Sequence, residues 1–286
     1  MPNLRDIKKR IVSTASTKQI TRTMEMVSSA KIRKAFARIE SATPYAQAME
    51  DMLAKLSSGG QVDHPLLTKH ETLKKALFIV VVSDRGLAGG FNVSILNAAD
   101  KKRRAYEAQG IEVELIVCGK KGLGYFAYRG QTPVLSYTDL SADPSFDQAC
   151  EISIYVRDRY IQGQADEVVL FYNHARNLAD QDLREQCLLP VSTKSQEESS
   201  ASFDFEPSEA AVLEQLLPAY IDAMVYRALL DSAAAEQGAR RRAMKSATDN
   251  ATEIISTLQR SYNRARQAVI TTELNEIIGG AAALEE

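Results

Sequence analysis

Cysteine is scarce: Cys118, Cys150 and Cys187 are the only three in 286 residues, and none forms a CxxC pair. An odd number at wide spacing excludes a disulfide framework and offers no zinc-ligand pattern, so a reducing compartment suits the chain. Long apolar runs are missing too. The longest, ALFIVVV at 76–82, falls far short of the roughly 20 residues of a membrane-spanning helix. The opening residues MPNLRDIKKRIVSTAS lack the apolar core and cleavage site of a secretory signal and already show helical periodicity, so they read as part of the mature protein. With 45% hydrophobic and 25% charged residues, the composition is that of an ordinary soluble globular protein rather than a disordered one.

Glycine is absent before Gly59, occurs eleven times between Gly59 and Gly163, and then only as Gly238 until Gly279. Three segments follow: a helical N-terminal arm (1–57), a glycine-punctuated middle (58–207) and a helical C-terminal arm (208–286). Charge divides at the same places. Residues 1–57 carry eleven Lys/Arg against five Asp/Glu, whereas 58–207 carry sixteen against twenty-one, so an overall charge of −2 conceals a strongly basic arm. STKSQEESSAS at 192–202 reads as a solvated loop before the last helix.

The middle alternates strand and helix signals: strands at 77–83, 113–119 and 167–173, helices at 91–110 and 145–163. This order predicts a small, Rossmann-like α/β domain with a mostly parallel sheet. The turn SDRGLAGGFN at 83–92 invites a phosphate-cradle reading. Its glycines do not have GxGxxG spacing, and no GxxxxGK[ST] occurs in the chain, so tight-turn glycines are the better reading. His64, His70 and His174 stand in separate contexts without paired carboxylates or a Ser/His/Asp grouping, which argues for structural or solvated histidines and against a catalytic site. No cofactor is implied.

Apolar residues recur at 3–4 spacing along both arms: Leu4, Ile7, Ile11; Ile20, Met24, Val27; Ile32, Phe36, Ile39; Ala46, Met49, Leu53, Leu56; then Leu213, Leu217, Tyr220, Met224; and Ile255, Leu258, Tyr262, Ala265, Val269. These are seams of long helices wound around each other. At 1.5 Å per residue the arms would run about 80 and about 115 Å, longer than a small domain is wide. Pro44 and Pro218 should kink them or mark early turns. Arms that flank one compact domain must pair antiparallel, and boundaries at 57 and 208 set Met24 beside Arg241, to within a turn or two. A basic collar then gathers Lys18, Arg22, Lys31, Arg33 and Lys34 with Arg240, Arg241, Arg242 and Lys245. Residues from about 263 onward lack a partner helix, so Val269, Ile270, Leu274, Ile277 and Ile278 need another sheath, at about 1.5–3 kcal/mol per buried aliphatic side chain.

Four separated stretches, ITRTMEMVSSAK (20–31), SDRGLAGGFN (83–92), EQGARRRAMKSATDN (236–250) and YNRARQAVITTELNEIIGGAAA (262–283), resemble, in family order, the gamma subunit of the rotary F-type ATP synthase of bacterial type. The resemblance implies an antiparallel coiled-coil shaft with its C-terminal tip in an apolar bearing of the alpha–beta hexamer and an α/β domain at its foot. The partners it implies are the alpha, beta and epsilon subunits and the membrane c-ring. The implied role is a non-catalytic rotor that couples proton-driven rotation to ATP synthesis or hydrolysis on beta, at the cytoplasmic face of the inner membrane. By the same resemblance Met24 corresponds to the methionine near the acidic lever of beta, and Arg240 lies in the segment around it. Arg266 and Gln267 match the pair on the catch loop of beta, Thr271 and Glu273 adjoin it, and Phe205 and Glu206 in FDFEP lie in the foot segment by the ring and epsilon. The cysteine-containing regulatory insertion of chloroplast members is absent, and Ala88 stands where the family often has cysteine. A basic helix alone would also suit a nucleic-acid-binding or scaffold coil. That alternative leaves the unpartnered apolar helix unexplained.

Overall fold

The computed structural model describes residues 4–58, 64–178, 180–192 and 208–282. The expected foot residues Phe205 and Glu206 lie outside them. In chain order the elements are α1 (Leu4–Ser58), β1 (Lys75–Val81), α2 (Phe91–Glu107), β2 (Glu112–Cys118), α3 (Lys120–Tyr128), β3 (Leu135–Tyr137), α4 (Phe146–Ile161), β4 (Glu167–Ala175), β5 (Gln181–Leu189) and α5 (Glu209–Ala282). Helix α1 contains no glycine and α5 only Gly238 before Gly279 and Gly280 near its end, and both run unbroken through their prolines, Pro44 and Pro218.

The chain forms two compact units, one of Met1–Val27 with Arg241–Glu286 and the other of Ser28–Arg240. The division falls inside the helices rather than at their ends. The inner stretches of α1 and α5 carry core residues of the sheet-containing unit, Leu53 and Leu213–Leu229 on one face and Ala234–Ala239 on the other, and so belong to it.

In that unit the sheet order is β3-β2-β1-β4-β5, parallel except for the antiparallel edge strand β5. The three central strands read as almost unbroken apolar runs because both of their faces are covered. Leu77, Ile79 and Val81 of β1 point into a core shared with α4 and α5; Phe78 and Val80 point into a second core shared with α2, α3 and α5. A capping box opens α4, Ser145 accepting from the Gln148 N–H while the Gln148 side chain accepts from that of Ser145. Three elements were not foreseen: α3, the three-residue β3, and β5, whose exposed and polar residues hide a strand paired on one edge only.

Candidate functional surfaces of the two helices

The unit of Met1–Val27 and Arg241–Glu286 joins the start of α1 to the end of α5, so the helices run antiparallel within it. Thr21 Oγ1 and Thr248 Oγ1 lie 2.7 Å apart. That contact fixes a register in which paired positions sum to 269, one turn from the sequence estimate. Met24 is therefore level with Lys245, and Arg241 lies a turn away. The seam on α1 is Leu4, Ile7, Ile11, Thr14, Lys18 and Thr21, and on α5 it is Met244, Thr248, Ala251, Ile255, Leu258, Tyr262 and Ala265, all buried or half-buried. Both follow the alternating 3–4 step of a heptad.

Two expected seam residues face outward instead: Ile20 is 61% and Val27 51% exposed. The heptad passes through their small polar neighbours Thr21 and Ser28, which are buried. A threonine pair can supply its own hydrogen-bond partners there, which satisfies two hydroxyls that would otherwise be costly to bury. Val269 is likewise exposed, the half-buried position being Ala268.

From Val269 to Ile278 every residue of α5 is exposed. Val269, Ile270, Leu274, Ile277 and Ile278 are all exposed large apolar side chains. Arg266, Gln267, Thr271 and Glu273 are exposed on the same stretch, and the Thr271 hydroxyl donates to the Gln267 carbonyl at 2.9 Å. Of the collar residues in this unit, Arg22, Arg242 and Lys245 are exposed while Lys18 and Arg241 are half-buried, as is Met24 on α1.

The sheet-containing unit holds the remaining collar residues. Lys31 and Arg33 are exposed on α1. Lys34 is 3.8 Å from Asp143, which also pairs with Arg38. Arg240 departs from the collar. It is 8% exposed, ion-paired with Glu236 at 2.6 Å, and donates to the Gly86 carbonyl at 3.3 Å and the Arg85 carbonyl at 3.5 Å. Its guanidinium is committed to ordering the glycine turn rather than to solvent. Burial pushes the Glu236 carboxyl above its ordinary value even though Arg240 pulls the other way.

The glycine turn is a closed structural element. Asn92 Oδ1 accepts from the Ser83 N–H at 2.9 Å, and the Ser83 hydroxyl donates to the Arg85 carbonyl at 2.6 Å. Leu87 and Gly89 take positive φ angles of 65° and 57°, and Ala88 between them is buried. The N-terminus of α3 is held by Asp84, whose Oδ1 accepts from the Lys120 N–H at 3.0 Å. The histidines are structural: His70 pairs with Asp166 at 2.8 Å and stacks on Tyr160, His174 pairs with Asp231 at 2.9 Å, and His64 Nδ1 accepts from the Leu66 N–H. Among the described residues no group of His, Cys, Asp and Glu is arranged to hold a metal ion, and no helix is long and apolar enough to cross a membrane.

A family profile described as ATP synthase matches residues 3–284. The ATP synthase gamma chain of Heliobacterium modesticaldum is 42% identical over 99% of this chain and 100% of its own length, and that of Desulforamulus reducens is 44% identical over 100% of both. The chain belongs to the ATP synthase gamma chain family. A chain of the rotor of Euglena gracilis mitochondrial ATP synthase shares the fold, with a TM-score of 0.63 at 19% identity over 93% of this chain and 98% of that one. Membership in the gamma chain family accounts for the four separated stretches, which fall on α1, on the glycine turn and at two places on α5. Sequence reasoning missed the buried Glu236–Arg240 pair. Its signal was present in EQGAR, an acid four residues before a base on one helix face.

Proposed function

We propose that the chain is the central shaft of an F-type ATP synthase, turning with the membrane ring and driving the catalytic beta subunits through their states in order. The observation that carries this reading is the unequal length of the paired helices. The end of α5 runs past the start of α1 and exposes five large apolar side chains to water, which only an enclosing partner can relieve. A ring of alpha and beta subunits with an apolar bearing supplies that enclosure. Arg266, Gln267, Thr271 and Glu273 then meet beta just below the bearing. The chain itself performs no catalysis, and it stays at the cytoplasmic face of the membrane through its partners, epsilon and the c-ring among them.

Lys18, Arg22, Met24, Arg241 and Arg242 in one unit, and Lys31 and Arg33 in the other, are the residues that beta's acidic lever meets during rotation. Long-range charge attraction suits a moving contact because it tolerates many orientations, whereas tight packing would hold one. Each exposed contact contributes only about 0.2–1 kcal/mol, so the effect is collective. The test changes Arg22, Lys31, Arg33, Arg241 and Arg242 to glutamine together, leaving buried Arg240 intact, in a complex reconstituted in vesicles. ATP-driven proton pumping per ATP hydrolysed should fall at low salt, and the difference from wild type should shrink at 1 M salt, where screening acts within about 3 Å. An unchanged ratio at low salt in a complex of normal composition would remove the electrostatic role. Failure of the tagged chain to copurify with alpha and beta subunits would remove the shaft.

A further inference from the structure

A cavity of about 840 Å³ opens in the sheet-containing unit between α1, the edge of the sheet formed by β4 and β5, and α5. Ligand pockets commonly fall in this size range; the lining here is mixed, with Glu50, Asp51 and Glu185 as well as Arg184, Arg227 and Asp231 among its apolar residues. Helix α5 contributes Tyr220, Met224, Arg227 and Asp231, a stripe at 4-3-4 spacing that follows one helix face. From the sheet, Tyr172 and Arg184 are direct cross-strand partners.

Two polar groups on that stripe are unfulfilled. Asp231 is 1% exposed; its Oδ2 pairs with His174, while its Oδ1 is buried without a hydrogen-bond partner. A bare carboxylate oxygen in such a place leaves a large desolvation cost standing until a donor arrives. Burial also raises the Asp231 carboxyl above its ordinary value, with His174 and the two arginines acting against it. Arg227, one turn earlier on the same face, lines the cavity and makes no hydrogen bond or ion pair with any described residue. The two are i and i+4, close enough to bridge, yet they do not. An unsatisfied, buried acceptor and a cation without a described partner are thus held one turn apart on the helix face that lines the cavity. Leu53, Leu188, Val191 and Met224 supply apolar wall beside them.

We infer that this cavity binds a small zwitterion of the α-amino-acid kind with an apolar side chain. The ammonium donates to Asp231 Oδ1, the carboxylate meets Arg227, and the side chain lies against the leucine and valine wall. This site is independent of the shaft reading, since it uses none of the surfaces assigned to beta.

The test is a two-dimensional NMR titration of the full chain with L-leucine, alongside L-leucinamide, which lacks the carboxylate, and 4-methylpentanoate, which lacks the ammonium. L-leucine should give saturable shifts at residues of β4 and β5 around Tyr172 and Arg184. Each analogue should bind at least about tenfold more weakly, as should Asp231→Asn and Arg227→Gln, a tenfold loss corresponding to about 1.4 kcal/mol. If Asp231→Asn unfolds by circular dichroism, Arg227→Gln decides, because Arg227 has no described partner to lose. No saturable shift at millimolar L-leucine means a cavity that holds only water, and overturns the inference. Binding of either analogue as tight as that of L-leucine, or unchanged binding by folded Arg227→Gln, overturns it as well.

Discussion

Thr21 and Thr248 share a hydrogen bond between their hydroxyls, 227 residues apart in sequence, and that contact sets the register of the antiparallel helices. The chain changed to Thr21→Cys and Thr248→Cys should form an intramolecular disulfide under mild oxidation, seen as a mobility change on a non-reducing gel. The pair Met24→Cys and Arg241→Cys, offset by one turn or about 5.4 Å, should link more slowly. Equal or reversed rates would refute the register. Because both helices turn together, the linked chain should still support rotation.

Arg240 and Arg242 should respond very unequally to neutralisation. Arg242→Gln removes an exposed charge and should change stability by no more than about 0.5 kcal/mol. Arg240→Gln strands Glu236, 3% exposed, and should cost about 3–5 kcal/mol. Adding Glu236→Gln should recover part of that loss, since no buried charge then lacks its partner. Urea unfolding of the three variants measures all of this.

Asp166 should contribute to acid sensitivity, alongside Asp84 and Asp100, whose carboxyls are likewise held below the ordinary value. Burial opposes its ionisation, but His70 and the backbone N–H groups of Lys74 and Lys75, the latter two at 2.8 Å, outweigh it and hold the carboxyl below the ordinary value of 3.8. A carboxyl depressed in the folded state contributes stability above its unfolded value and loses it as pH falls through the folded one. Asp166→Asn should therefore destabilise the chain near neutrality and flatten the decline below about pH 3.8. Melting temperatures from pH 7 to pH 2.5 would show it. A parallel decline in the variant would assign the acid limb elsewhere.

Two glycines near the start of α3 should behave differently. Gly119 has φ 119°, and an added Cβ would sit 2.2 Å from the Val82 carbonyl oxygen, backbone that cannot move aside. Gly119→Ala should cost several kcal/mol, more than the roughly 1–3 kcal/mol of ordinary overpacking, and reduce soluble yield. Gly124 lies inside α3 with nothing within 4 Å of an added Cβ. Gly124→Ala should stabilise by about 0.5–1 kcal/mol, as expected of alanine in a helix. Thermal melts rank the two.

The sequence made long helices and buried parallel strands legible because both leave periodic or continuous apolar signals. It misled at Ile20 and Val27, where apolar side chains stand beside the seam and small hydroxyl residues occupy it. A pattern reader counts oil, whereas two close helices at this level select for small size and a shared hydrogen bond. Strand β5 escaped for a related reason: QDLREQCLL alternates poorly, since half of an edge strand answers to solvent. Arg240 looked like its neighbours Arg241 and Arg242 because nothing local in a triple arginine tells which one turns inward. Only the fold, which sets the glycine turn and Glu236 on one side of α5, separates them.

From Ala228 to Arg240, every residue of α5 is buried. An ordinary helix of a globular protein keeps one face wet; this stretch has none, and its alanines, serine and glycine let the surrounding elements close in on the backbone itself. A rod held by one face can roll under load, trading one rotamer set for another. Gripped on all sides, this length of α5 has no idle angle. Any twist imposed on the sheet must reach the helix at once, without backlash.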